Sequence, residues 1–229
     1  MREIIFDTET TGLDPSGGHR LVEIGCIEMV DRRETGNSFH AYFHPERDMP
    51  KEAEAVHGLT IGFLSDKPRF AERADELIEF LGDAPLVAHN AAFDFGFVNA
   101  ELARAGMPPL AFDRMRCTVQ LARKLHPGSK HSLDALCVRY GIDRSHRVKH
   151  GALLDAELLA HLYIELTGGR QIGLGLADAA RHVAAAGGAP ALSSRAFCEP
   201  RPHAAAADEL ARHAEFVRTL KQPLWFDGA

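Results

Sequence analysis

The order of apolar patterns along the chain predicts a mixed β-sheet covered by helices, an α/β or α+β layered domain. Three observations carry this expectation. Strand-type runs fill much of the first 43 residues, and helical patterns interleaved with short apolar runs follow. The composition, 45% apolar and 25% charged, is the average of soluble globular domains. A chain of 229 residues holds one ordinary domain and a short appendage more comfortably than two full domains.

Residues 2–7 form a short β-type run, residues 21–30 a second and residues 38–43 a third. The polar segment 31–36 between the last two predicts an antiparallel hairpin. Pro68 suits the first turn of a helix reaching about Leu81, where Gly82 supplies the stop. A short apolar strand over 85–89 then leads into a helix over about 91–104, closed by Gly106 and Pro108-Pro109. A strand near 112–117 and helices near 118–125, 133–140 and 152–167 complete a domain of residues 1–170, ended by Gly168-Gly169. In residues 171–202, Gly, Pro and Ala make up 16 of 32 positions, too few large apolar side chains to build a core. That stretch reads as a tether, with one transient helix around 177–186. In the tail, 203–229, residues 208–221 carry Leu210, Ala214, Val217 and Leu220 at helical spacing, followed by Pro223-Leu224-Trp225-Phe226.

Charge and cysteine usage exclude several classes. The net charge of −6 argues against a protein that binds polyanions through bulk basicity. Residues 114–150 nevertheless carry nine Lys/Arg against two acids, an excess that either guides a polyanion or is a solvated helical surface. The four cysteines are widely spaced with no C-x-x-C pair, which excludes a zinc ribbon or disulfide framework and leaves small buried thiols. No apolar run approaches the ~18 residues needed to cross a bilayer, and no secretory signal is evident, so a cytoplasmic location is expected.

The strongest chemical signal is Asp7-Thr8-Glu9 at the end of the first strand. Alternation puts Ile5, Asp7 and Glu9 on one face and Ile4, Phe6 and Thr8 on the other, with same-face positions about 6.5–7 Å apart. Two carboxylates that close repel unless a proton or a metal neutralises them. Asp155 adds a third, because Leu158, Leu159 and Leu162 place it on or beside the inward stripe of its helix. Its charge is neutralised by an arginine or by a metal, or it serves the macrodipole in the first helical turn. Asp94 lies in the first turn after a strand, between Phe93 and Phe95. His150 precedes Asp155 by five residues, and Gly151 gives the backbone freedom to turn imidazole and carboxylate into one pocket.

Together, Phe6-Asp7-Thr8-Glu9-Thr10-Thr11-Gly12-Leu13, His89-Asn90-Ala91-Ala92-Phe93-Asp94 and His150-Gly151-Ala152-Leu153-Leu154-Asp155-Ala156 resemble, in order and spacing, the three motifs of the DEDDh 3′-to-5′ exonucleases. The likeness is strongest to the proofreading (epsilon) subunits of bacterial DNA polymerase III, and extends from about Arg2 to Gly169. It implies a ribonuclease-H-like exonuclease fold with a mixed five-stranded sheet flanked by helices. It also implies two divalent ions, Mg²⁺ or Mn²⁺, about 3.5–4 Å apart and serving in-line phosphoryl displacement. By the resemblance Asp7 bridges both ions, Glu9 and Asp155 hold one, Asp94 helps hold the second, and His150 is the general base. Glu52 and His57 match positions that contact the terminal nucleotide, with Thr8 and Leu13 shaping its pocket. A frayed, mismatched DNA 3′ end is the expected substrate, because pairing opposes entry. Gln171, Leu174 and Leu176 stand where the family carries a peptide for the β sliding clamp. The tail, with Leu210, Val217, Leu220 and Trp225, resembles the part that docks on the polymerase α subunit. A stand-alone ribonuclease and an inactive scaffold are the rival readings; five chemically matched motif residues weigh against the scaffold.

Overall fold

The computed structural model of the chain describes residues 1–145, 147, 149–169 and 204–221. The chain divides into two units, Met1–Leu174 and Gly175–Ala229. The first unit is built on five strands: β1 (Arg2–Thr10), β2 (Leu21–Val30), β3 (Arg33–Tyr42), β4 (Leu86–Ala88) and β5 (Met115–Cys117). They form one sheet in the order β3-β2-β1-β4-β5. β1 pairs antiparallel with β2 and parallel with β4, β2 pairs antiparallel with β3, and β4 pairs parallel with β5. This is the mixed five-stranded sheet that the sequence predicts.

Alternation along the two central strands sorts their side chains into two cores. Ile4 and Phe6 of β1, with Leu86 and Ala88 of β4, pack with Leu77 of α3 (Phe70–Leu81) and Phe95 of α4 (Ala91–Arg104). On the opposite face, Ile5 and Val87 pack with Ala122 of α5 (Thr118–Leu125), Leu136 of α6 (Leu133–Tyr140) and Leu159 of α7 (Ala152–Leu166). Strands buried on both faces read as near-continuous apolar runs, as these two do. Two short helices, α1 (Lys51–His57) and α2 (Ile61–Leu64), cross between β3 and α3. They are absent from the sequence expectation, since neither carries an apolar stripe long enough to register.

The hairpin departs from expectation in its turn. Its loop is two residues long, Asp31 and Arg32, with φ of 51° and 63°, and Val30 pairs directly with Arg33. A two-residue turn with both residues left-handed matches the strand twist, and β3 therefore starts five residues before the expected 38. The first part of this edge strand is polar and exposed, which hid it from an apolar pattern; Thr35 and Asn37 both donate to Glu28 Oε2 at 2.7 Å instead. The expected strand over 112–117 divides into a 3₁₀ turn, Phe112–Arg114, and β5. Cys26 and Cys137 are buried free thiols and Cys117 is partly buried. In the second unit, α8 (Ala207–Thr219) forms where the tail periodicity predicts a helix. Among the described residues no helix is long and apolar enough to cross a membrane.

Candidate active site

The carboxyl end of β1 carries Asp7 and Glu9, and helices from both sides of the sheet bring the other acids to it. Asp94 arrives on the first turn of α4, directly after β4. The link is Asn90, in left-handed conformation at φ 68° and ψ 46°, a geometry asparagine tolerates better than most residues. Thr8, on the α4 side of β1, donates from Oγ1 to Asp94 Oδ1 at 2.8 Å. Asp94 is 2% exposed, and its Oδ2 is buried without a partner.

Asp155 arrives on α7, which lies unusually close to the sheet. Gly25 of β2 stands opposite Asp7, and a Cβ there would sit 2.3 Å from Leu153 N. The missing side chain lets the start of α7 rest on β2. His150 lies just ahead of this helix, 46% exposed, its N–H donating to Val56 O at 3.4 Å. Gly151 has φ −159°, extended backbone that any residue adopts, and a Cβ there would meet nothing within 4 Å. The expectation that glycine freedom makes this turn is therefore corrected: the chain enters α7 without it.

All five motif residues, Asp7, Glu9, Asp94, His150 and Asp155, line one cavity of about 260 Å³, together with Thr8, His89, Phe93, Ser132, Leu133, Asp134 and Arg147. Ligand atoms of Glu9, His150 and Asp155 lie within 4.8 Å of one another. Burial, reinforced by Asp94, Glu9 and Asp155, raises the Asp7 carboxyl well above the ordinary range. Burial, with Asp155 and Glu23, pushes Glu9 up to about 8. Burial raises Asp94 to about 7 against the opposing Thr8 hydrogen bond. Such a cluster calls for positive charge. The unpartnered Asp94 Oδ2 and the group of Glu9, His150 and Asp155 fit a divalent cation, whose preferred ligands are carboxylates.

Part of that positive charge comes from Arg147, which is 8% exposed. It donates from Nε to Asp155 Oδ1 at 2.5 Å and from Nη2 to Asp155 Oδ2 at 2.7 Å. Its Nη1 reaches Asp134 Oδ1 at 2.7 Å, and Nη2 also donates to His150 Nδ1 at 2.7 Å. The sequence left arginine or metal as alternatives at Asp155, and the structure supplies the arginine. Nothing in the sequence singled out Arg147 among nine nearby cations.

A second, more apolar cavity of about 580 Å³ adjoins the first through Thr8, Glu9 and Phe93. Leu13, Glu52 and His57 line it, and so do His19, Ala53 and Val56. Leu13 is 84% exposed at the surface. His57 Nδ1 accepts from Leu59 N at 3.0 Å, while its buried Nε2 has no partner. His19 was not legible as a wall residue; it packs where Gly12 has no side chain, since a Cβ there would sit 2.3 Å from the imidazole. A third cavity, about 600 Å³, lies on the His150 side and is lined by Arg144, Arg147 and Lys149 with Asp134 and Asp143. In the tail, Leu210 is exposed and Val217 buried, and Leu220 ends α8. Gln171, Leu174, Leu176, Trp225 and the helix expected over 177–186 lie outside the described residues.

Residues 4–163 match the exonuclease (RNase_T) family. The chain is 53% identical over 181 residues to DNA polymerase III subunit epsilon of Rickettsia felis, covering 78% of this chain and 79% of that protein. It is 49% identical over 176 residues to the Escherichia coli subunit of the same name, covering 74% and 72%. Among solved structures, exonuclease X in complex with 5′ overhanging duplex DNA aligns with a TM-score of 0.57 at 30% identity, covering 72% of this chain and 90% of that one. Escherichia coli exonuclease I bound to a dT13 oligonucleotide aligns with a TM-score of 0.64 at 17% identity, covering 73% and 41%, a likeness of fold. The chain thus belongs to the exonuclease family, among the DNA polymerase III epsilon subunits.

Proposed function

We propose that this chain is the proofreading subunit of a replicative DNA polymerase and removes mismatched 3′-terminal nucleotides by metal-dependent hydrolysis, releasing nucleoside 5′-monophosphates. The observation that carries this reading is the convergence of Asp7, Glu9, Asp94, Asp155 and His150 on one cavity beside a more apolar one. Asp7, Glu9, Asp94 and Asp155 would hold two divalent ions, Mg²⁺ or Mn²⁺. Bound there, such ions neutralise the carboxylates and stabilise charge on a phosphoryl group in displacement.

The chain's own residues supply the rest. The adjoining cavity accommodates the terminal nucleotide, with Leu13, Val56 and Phe93 as apolar walls and Glu52 and His57 as polar contacts. His57 is buried beside the Thr10 backbone, with its Nδ1 occupied by Leu59 N, which fixes the orientation of its ring. His150 lines the cavity with about half its side chain open to solvent, which supports its role as the base that would take the proton from an attacking water. A paired terminus must first unpair to reach these cavities, so a mismatched end enters at lower cost. Arg144 and Lys149, lining the neighbouring cavity, suit the phosphates of the strand behind it. The polymerase α subunit, through the tail with Leu210, Val217, Leu220 and Trp225, and the β clamp, through Gln171, Leu174 and Leu176, are the proposed partners. The family resemblance and the helical spacing of the tail support that assignment.

Incubating single-stranded oligonucleotides labelled at either end tests the reaction. With Mn²⁺, a 3′ label should leave at once as a mononucleotide, while a 5′ label yields a shortening ladder. Immediate loss of the 5′ label, or an internal cut, would overturn the polarity. Faster degradation of RNA than of DNA would favour the stand-alone ribonuclease.

A further inference from the structure

The metal-site reading leaves Arg147 without a role, and its geometry supplies one. The guanidinium holds both oxygens of Asp155, at 2.5 and 2.7 Å, and is itself buried at 8% exposure. A divalent cation needs a lone pair from the same carboxylate, so cation and guanidinium compete for one acid. The same fork reaches His150 Nδ1 and Asp134 Oδ1, both at 2.7 Å. Asp134 is half exposed, stands at the edge of the acid cluster, and also accepts from Arg144 Nη1 at 2.9 Å. It gives the arginine an anchor that does not depend on Asp155.

Resting on the assignment of Asp155 as a metal ligand, we propose that Arg147 is a positioning residue that acts as a resident counter-cation. It holds Asp155 and His150 in place while the site lacks metal, and gives up Asp155 to the incoming ion while keeping Asp134. An arginine is suited to this exchange because its planar fork satisfies two acids at once and never loses its charge. A purely structural brace behaves in the opposite way: removing it would disorder Asp155 and weaken metal binding. The two roles therefore predict opposite signs for one measured constant.

The test is calorimetric titration of Mn²⁺ into the full chain, without DNA, for the wild type, Arg147→Ala and Arg147→Lys, with unfolding midpoints measured in EDTA. Mn²⁺ should bind the alanine variant at least roughly tenfold more tightly than the wild type, with the lysine variant between them. The midpoint in EDTA should fall in the same order, so that added Mn²⁺ raises it most in the alanine variant. Should the alanine variant not fold, the lysine variant, which keeps the charge but not the fork, carries the comparison. Equal or weaker Mn²⁺ binding in the folded variants would overturn the role of Arg147 and leave the metal site standing. No binding by any of the three would remove the metal site and this role together.

Discussion

Replacing Gly25 with alanine should damage the active site from a position that lines none of its three cavities. Gly25 lies on β2 opposite Asp7, and an added Cβ would fall 2.3 Å from Leu153 N, 2.4 Å from Leu153 Cα and 2.5 Å from Ala152 C. All three are backbone atoms at the start of α7, so no rotamer change relieves the clash. Restoring ordinary contact distances of about 3.5 Å requires β2 and α7 to separate by about 1 Å. Asp155 rides on the first turn of that helix and would move with it relative to Asp7 and Glu9. A displacement of that size costs about a hundredfold in rate, and overpacking of this kind costs about 1–3 kcal/mol. Single-turnover degradation of a single-stranded oligonucleotide with saturating Mn²⁺ measures the first effect, and thermal unfolding the second. Gly96→Ala is the control, because its Cβ would meet nothing nearer than Pro15 Cγ at 4.0 Å, and alanine in α4 favours the helix by up to about 1 kcal/mol. Wild-type rate and stability in Gly25→Ala, or equal damage in Gly96→Ala, would refute the argument that this close approach positions Asp155.

The remaining predictions concern charge. Without metal, Glu9 at about 8 and Asp94 at about 7 bind protons in the folded state that the unfolded chain has already lost above about pH 4.5. Stability in EDTA should therefore fall as pH rises from about 5 to about 8, and saturating Mn²⁺ should flatten that slope; urea midpoints at the two ends measure it, and a rise in EDTA would contradict the cluster. Asp94→Asn removes one buried charge and should make the metal-free protein about 1–4 kcal/mol more stable at pH 8 while lowering nuclease rate at least about a hundredfold; a less stable variant at that pH would count against burial as the cause. Glu101, 1% exposed, accepts from Arg20 at 2.7 and 2.9 Å and from Arg104 at 2.9 Å. Glu101→Ala should cost about 2 kcal/mol by removing three charge-assisted hydrogen bonds and leaving Arg20 only Glu46 and the Pro45 carbonyl, read by chemical denaturation, and a loss under about 1 kcal/mol would show the network to be a surface one.

What the sequence revealed follows the range over which its signals act. The two-residue period of β1 placed Asp7 and Glu9 together, and the leucine stripe turned Asp155 inward, because both patterns are local and repeat. α4, α5 and α6 begin and end where their apolar spacing and stop signals put them. Arg147 escaped notice because its partners are set by the path of a loop: nothing in the spacing tells which of nine cations turns toward Asp155. α1 escaped because seven residues after a proline N-cap, with no side-chain cap, give neither a stripe nor a start signal, although this helix carries Glu52 and His57 into the second cavity. The hairpin turn was misplaced for a related reason. Asp31-Arg32 takes left-handed geometry without glycine or asparagine, and the polar edge strand after it resembles a loop.

The most direct test of the account compares a primer–template carrying a 3′-terminal mismatch with its matched counterpart, with Mn²⁺ or EDTA, for the wild type and Asp7→Ala. The mismatched end should be removed faster than the matched one, and removal should stop in EDTA and in the variant. Folded wild-type protein that leaves both ends intact, or cleavage that persists in EDTA or in Asp7→Ala, would contradict it.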